Sequence, residues 1–228
     1  MSKPIVSLHN TVFGYRKNTV VQCAEFSIAR GELVVLTGKN GSGKSTILRS
    51  ICGLLPLIQG ELDILGSSVA DMSPIERATR VSIVLTERIS LQGMDVRTLV
   101  GLGRFPHHEP WAIGERIEDM QLVDDAMKML QVSAFADRPL ASLSDGEMQK
   151  VMIARAICQD TPLILLDEPT AFLDYEAREE LMILLRRLAG EQQKAILFSS
   201  HEIELASRFA HRRWHVEQGS MSEQITST

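Results

Sequence analysis

The chain has 228 residues, of which 44% are hydrophobic and 23% charged, with a formal net charge of −5. That length suits one sizeable core, or a core with a small subdomain, and the composition is globular rather than disordered. Net acidity without a basic run argues against a bulk electrostatic grip on DNA or RNA, so no nucleic-acid partner is expected.

The opening MSKPIVSLHN lacks the apolar stretch of a secretory signal. The longest uncharged stretch is the twelve residues Pro4–Tyr15, whereas a membrane helix needs roughly twenty apolar residues. Cys23, Cys52 and Cys158 are odd in number and far apart, and read as small buried residues in a reducing compartment rather than a disulfide or zinc framework. A cytosolic chain with no bilayer span is expected.

In chain order, Ala24, Phe26 and Ile28 share a face at period two, which predicts a half-buried strand. Leu33–Thr37 (LVVLT) is an unbroken apolar run, as in a strand covered on both faces. It leads into Gly38, Lys39, Asn40, Gly41, Ser42, Gly43, Lys44, Ser45 and Thr46, which fit G-x-x-x-x-G-K-[ST]. A helix should follow, because Ile47, Leu48 and Ile51 share a face and Gly53 can cap it. In such a loop the glycines let N–H groups turn toward phosphate oxygens, Lys44 reaches the β- and γ-phosphates, and the Ser45 hydroxyl ligates Mg²⁺.

A further apolar run, Val81–Leu85 (VSIVL), predicts another strand. Residues 87–142 are helical in pattern, with Val123, Ala126, Met127 and Leu130 on one face, and are interrupted by Gly and Pro around GLGRFPHHEPW. With the next helix they form a lobe of about 87–155 inside a single domain of residues 1–220. Leu143–Lys150 (LSDGEMQK) opens that helix with Ser144 and Glu147 in capping-box spacing. Gly146 in its first turn costs roughly 1 kcal/mol of helix propensity, which points to close approach by another group.

Leu163–Leu166 (LILL) predicts a buried strand that delivers Asp167 and Glu168 at its end. Paired with the glycine loop, Asp167 would hold the metal and Glu168 would take a proton from the attacking water. Leu181, Leu184, Leu185 and Leu188 mark a helix. Ala195–Ser199 (AILFS) marks a strand that His201 ends, in LFSSHE, and His201 could donate a hydrogen bond to charge developing on a γ-phosphate. His107 and His108, and His211 and His215, are not expected to bind metal. Residues 221–228, at the end of QGSMSEQITST, read as a flexible tail. Strands alternating with helices predict an α/β fold with a parallel sheet and flanking helices.

Taken together, Gly38–Thr46, Leu143–Glu147 (LSDGE) some twenty residues before LILLDEP, Phe172–Asp174 (FLD) and His201 resemble the ATP-binding-cassette ATPases over about Val6 to Val216. The resemblance implies a P-loop NTPase core, an N-terminal antiparallel β subdomain and an inserted α-helical lobe. It implies ATP and Mg²⁺ as cofactors, and a homodimer formed on ATP binding. Leu143, Ser144, Asp145, Gly146 and Glu147 would then act on the ATP held by the partner's glycine loop. Tyr15 matches the aromatic that stacks on adenine, and Asp174 the residue linking the two sites across the dimer. Two departures stand out. Asp145 and Glu147 replace the usual Gly and Gln, and Thr86, followed by Glu87, replaces a metal-contacting glutamine, with Thr86 a shorter substitute ligand.

LVGLGRFPHH (Leu99–His108) and Met148–Asp174 are most similar to the ATPases of bacterial importers for iron-siderophore complexes, haem and cobalamin. That likeness implies a chain peripheral on the inner face of the cell membrane. Gly101–Trp111, with Pro106 and Pro110, would dock on transmembrane permease subunits, and a periplasmic binding protein would take part indirectly. The alternative is a soluble ATPase serving an iron–sulfur cluster assembly scaffold.

Overall fold

The computed structural model describes residues 3–87, 93–108 and 116–225. Strands β1 (Val6–Tyr15) and β2 (Asn18–Ile28) pair antiparallel. Ile28 is buried and Phe26 half-buried, but Ala24 is exposed and the inward set upstream is Val21 and Cys23. The alternation slips because Asn10, opposite Ala24 in register, leaves the pleat with φ 46°.

β3 (Leu33–Gly38) sends alternate residues into two cores. Leu33 and Val35 pack in one, and Val34 and Leu36 in the other with Ile47, Leu48 and Ile51 of α1 (Lys44–Ile51). α1 ends in a Schellman turn: Gly53 takes φ 72°, Gly53 N–H donates to Ser50 O at 2.9 Å, and Leu54 N–H to Arg49 O at 2.8 Å. β4 (Gln59–Ile64) and β5 (Ser67–Ser68) follow, then α2 (Pro74–Arg80), capped by Ser73, and β6 (Val81–Val84).

The helical lobe comprises α3 (Val96–Gly101), a 3-10 turn over Leu102–His107, α4 (Ile117–Met129) and α5 (Asp145–Cys158). Val123, Ala126, Met127 and Leu130 are buried as their spacing predicts. Arg104 ties the turn down, donating to Asp119 Oδ1 at 2.7 Å and to Cys158 O at 2.9 Å. Burial raises the Asp119 carboxyl, but hydrogen bonds from Arg104 and His108 outweigh that and hold it below the usual carboxylate range. The chain then returns through β7 (Leu163–Leu166), α6 (Tyr175–Gln192), β8 (Ala195–Ser199), α7 (Ile203–Phe209), β9 (Arg212–Glu217) and β10 (Ser220–Ile225).

Among the described residues ten strands form one sheet in the order β5-β4-β1-β2-β10-β9-β3-β8-β7-β6. From β9 to β6 neighbouring strands are parallel, so the C-terminal ends of β3, β6, β7 and β8 lie along one edge. The expected parallel core and antiparallel β subdomain are therefore two halves of one continuous sheet.

What joins them corrects the expected tail. Residues 220–225 are not loose but form β10, antiparallel to β9 and meeting β2 at Ser220 and Gln22. The hairpin turns on Gln218 and Gly219, with φ 49° and 75°, the left-handed pair whose twist matches the flanking strands.

Candidate nucleotide-binding site

The glycine loop leaves β3 where the parallel strands end. Gly43 caps α1 at φ 107° and offers no side-chain cap, and the first turn of α1 carries no acid. The N–H groups of that turn thus keep the unfulfilled donors and partial positive charge of a bare helix start. A Cβ on Gly43 would lie 2.7 Å from Val20 and Val21 side-chain carbons, so only glycine lets the loop settle against β2.

Beside the loop is a cavity of about 400 Å³, lined by Tyr15, Val20, Asn40, Gly41, Gly43, Lys44, Ser45, Thr46, Thr86, Asp167 and Glu168. Of the expected nucleotide contacts, Gly38, Lys39 and Ser42 lie outside that lining. The first two reach the site through Lys44, whose buried Nζ donates to Gly38 O at 3.0 Å and Lys39 O at 3.4 Å. Lys44 Nζ also stands 3.7 Å from Glu168 Oε1. The Tyr15 hydroxyl lies 3.4 Å from Thr46 Oγ1 with the ring half-exposed at the rim.

The acids sit just beyond β7. Asp167 is buried and accepts from the Ser199 hydroxyl through Oδ1 at 2.6 Å. Glu168 takes φ 50°, a left-handed conformation costing a non-glycine residue roughly 1–2 kcal/mol. Its N–H donates to Ser199 Oγ at 2.8 Å, and its Oε2 is 2.8 Å from His201 Nδ1. Thr86 Oγ1 donates to Asp167 O at 3.4 Å, and Glu87 pairs with Arg49 of α1. The open helix start and Lys44 suit a polyphosphate. Asp167, Ser45 and Thr86 offer the oxygen donors that a hard cation prefers. The four histidines set aside earlier are occupied elsewhere: His107 by Gln159 O, His108 by Asp119, His211 by Leu33 N–H and His215 by Thr37.

None of Leu143–Glu147 lines this cavity. Ser144 and Glu147 complete the expected capping box, and Arg138 donates to Glu147 Oε1 at 3.0 Å. The Ser144 N–H, then Arg138, holds the Glu147 carboxyl below its usual range. The extra acid is therefore paired. The group that crowds Gly146 belongs to this chain, since a Cβ there would come 2.8 Å from Phe172 O. Asp174 caps α6, accepting from Ala177 N–H at 2.9 Å. Sequence reasoning missed Ser199 and Arg138, which are far in sequence from the groups they hold. Pro110 and Trp111 lie outside the described residues.

Strand, glycine loop, helix and strand-end acids together make a P-loop nucleoside-triphosphatase site. A family model described as "ABC transporter" matches residues 21–171. The achromobactin transport ATP-binding protein CbrD of Dickeya dadantii is 33% identical over 96% of this chain and 83% of its own. The iron(3+)-hydroxamate import ATP-binding protein FhuC of Bacillus subtilis is 34% identical over 94% of this chain and 79% of its own. A solved dimer of the cassette MJ0796, bound to ADP and Pi after hydrolysis, superposes with a TM-score of 0.87 at 27% identity, covering 98% of this chain and 99% of that one. The chain belongs to the ABC transporter family and is an ATPase of that family. Among the described residues no helix is long and apolar enough to cross a membrane.

Proposed function

We propose that the chain is the ATP-hydrolysing subunit of a bacterial importer for an iron chelate, held on the cytoplasmic side of the membrane by a permease. The observation that carries the cargo class is the similarity, over 94% of the chain or more, to two ATP-binding proteins named for achromobactin transport and iron(3+)-hydroxamate import. The iron–sulfur scaffold reading draws no support from these relatives.

In this reading Tyr15 lies against the base, and the N–H groups of Gly41 and Gly43–Thr46 with Lys44 hold the phosphates. Ser45, Asp167 and Thr86 would hold Mg²⁺, which when bound would neutralise phosphate charge. Glu168 accepts the proton of the attacking water, and His201, already bonded to Glu168, donates to the charge that develops. A second copy supplies Ser144 and Gly146 at the start of its α5, which explains why those residues are absent from their own chain's cavity. Asp174 sits where it can link the two sites.

The permease would dock in a cavity of about 350 Å³ in the lobe, lined by Thr98, Leu102, Arg104, Phe105, Met120 and others. Phe105 is 67% exposed there, an apolar anchor for a partner. A periplasmic binding protein would deliver cargo on the far side. The test is affinity purification of the tagged chain from detergent-solubilised membranes of its native host. Retention of a multi-span permease is expected, and retention of a soluble scaffold alone would overturn the importer reading.

A further inference from the structure

We propose that Ser199 is a positioning residue that presents Asp167 to the metal and fixes Glu168 beside it; the proposal rests on the Mg·ATP reading of the site. Ser199 closes β8 and is fully buried. The parallel register pairs Leu166 with Phe198, so Ser199 stands beside Asp167, one step past the end of β7. Its hydroxyl donates to Asp167 Oδ1 at 2.6 Å and accepts from Glu168 N–H at 2.8 Å. One side chain therefore holds two consecutive acids, the first by its carboxylate and the second by its backbone.

The donated bond makes Asp167 asymmetric. A hydroxyl has a single proton; given to Oδ1, it fixes the carboxylate plane. Oδ2, which has no hydrogen bond among the described residues, is left as the oxygen a cation can take. Outer hydrogen bonds of this kind orient ligand oxygens and tune metal affinity. The accepted bond holds Glu168 at its positive φ, the conformation in which its side chain meets His201 and Lys44. Satisfying a buried N–H would need only an acceptor. The short donated bond to Oδ1 goes beyond that structural need.

The probe is Mn²⁺, read by electron paramagnetic resonance on ATP-loaded protein, beside binding of a fluorescent ATP analogue in EDTA. For Ser199→Ala the Mn²⁺ dissociation constant should rise about tenfold, while metal-free nucleotide affinity stays within about twofold. Ser199→Thr, which keeps the hydroxyl, should restore most of the Mn²⁺ affinity. Unchanged Mn²⁺ affinity in the Ala variant, an equal fall in metal-free nucleotide affinity, or a Thr variant as weak as Ala would each overturn the role of Ser199. Failure of the wild-type protein to bind Mn²⁺ with ATP is a separate result, and would overturn the Mg·ATP reading and this role with it.

Discussion

Glu168 is bracketed by a cation and an imidazole, with Lys44 Nζ at 3.7 Å from one oxygen and His201 Nδ1 at 2.8 Å from the other. An amide in its place can keep a bond to His201 but cannot accept a proton. Glu168→Gln should bind ATP normally while hydrolysis falls by about 10²–10⁴-fold, measured as phosphate release; turnover like that of the unmodified protein would remove Glu168 from the chemistry. Ser144 makes the opposite case, because it caps α5 away from its own chain's cavity. Ser144→Arg should abolish hydrolysis and leave monomer nucleotide affinity unchanged by titration, whereas collapse of that affinity would mean the motif acts within one chain. At this scale the glycine loop and the acid pair were legible because each is a local pattern beside an apolar run. Ser199 was not, since a serine ending a strand becomes informative only when the register of β7 and β8 places it beside Asp167.

Elements reveal a different limit. The first turn of α5 was readable as a capping box, and the structure forms both of its hydrogen bonds. Gly146, two residues into that helix, looks from sequence alone like a weakness. Its reason lies across the chain, where the carbonyl of Phe172 would meet an added Cβ at 2.8 Å. Gly146→Ala should gain up to about 1 kcal/mol in helix propensity yet lose more to that contact, so thermal melting should show lower stability, with reduced hydrolysis. A raised melting temperature would show that Phe172 yields freely. β10 was illegible for a related cause. Among its described side chains only Met221 is apolar and buried, and main-chain pairing to β9, which composition does not record, makes it a strand.

Over the whole molecule, two apolar layers face each other across the sheet, and the central strands contribute to both. Phe198 of β8 is fully buried one residue before Ser199. Phe198→Ala should destabilise the protein by about 3–5 kcal/mol in urea unfolding, and a loss under about 1 kcal/mol would mean the layer repacks around the hole. Sequence periodicity marked out these buried strands well, because continuous apolar runs are what doubly covered strands require. The order of the strands was beyond its reach, for it depends on the late hairpin of β9 and β10.

That hairpin also sets a timetable for synthesis. Tyr15 and Val20 line the nucleotide cavity from one half of the sheet and Gly41–Thr46 from the other, and between the halves lie β9 and β10. A ribosome-bound chain that has not yet released residues 212–225 owns every residue that lines the cavity but lacks the two strands that join its halves into one sheet, leaving only the direct packing of the loop on Val20 and Val21 to hold them together. The pocket would thus reach its full rigidity near the end of translation, when the late hairpin closes the sheet between its two walls.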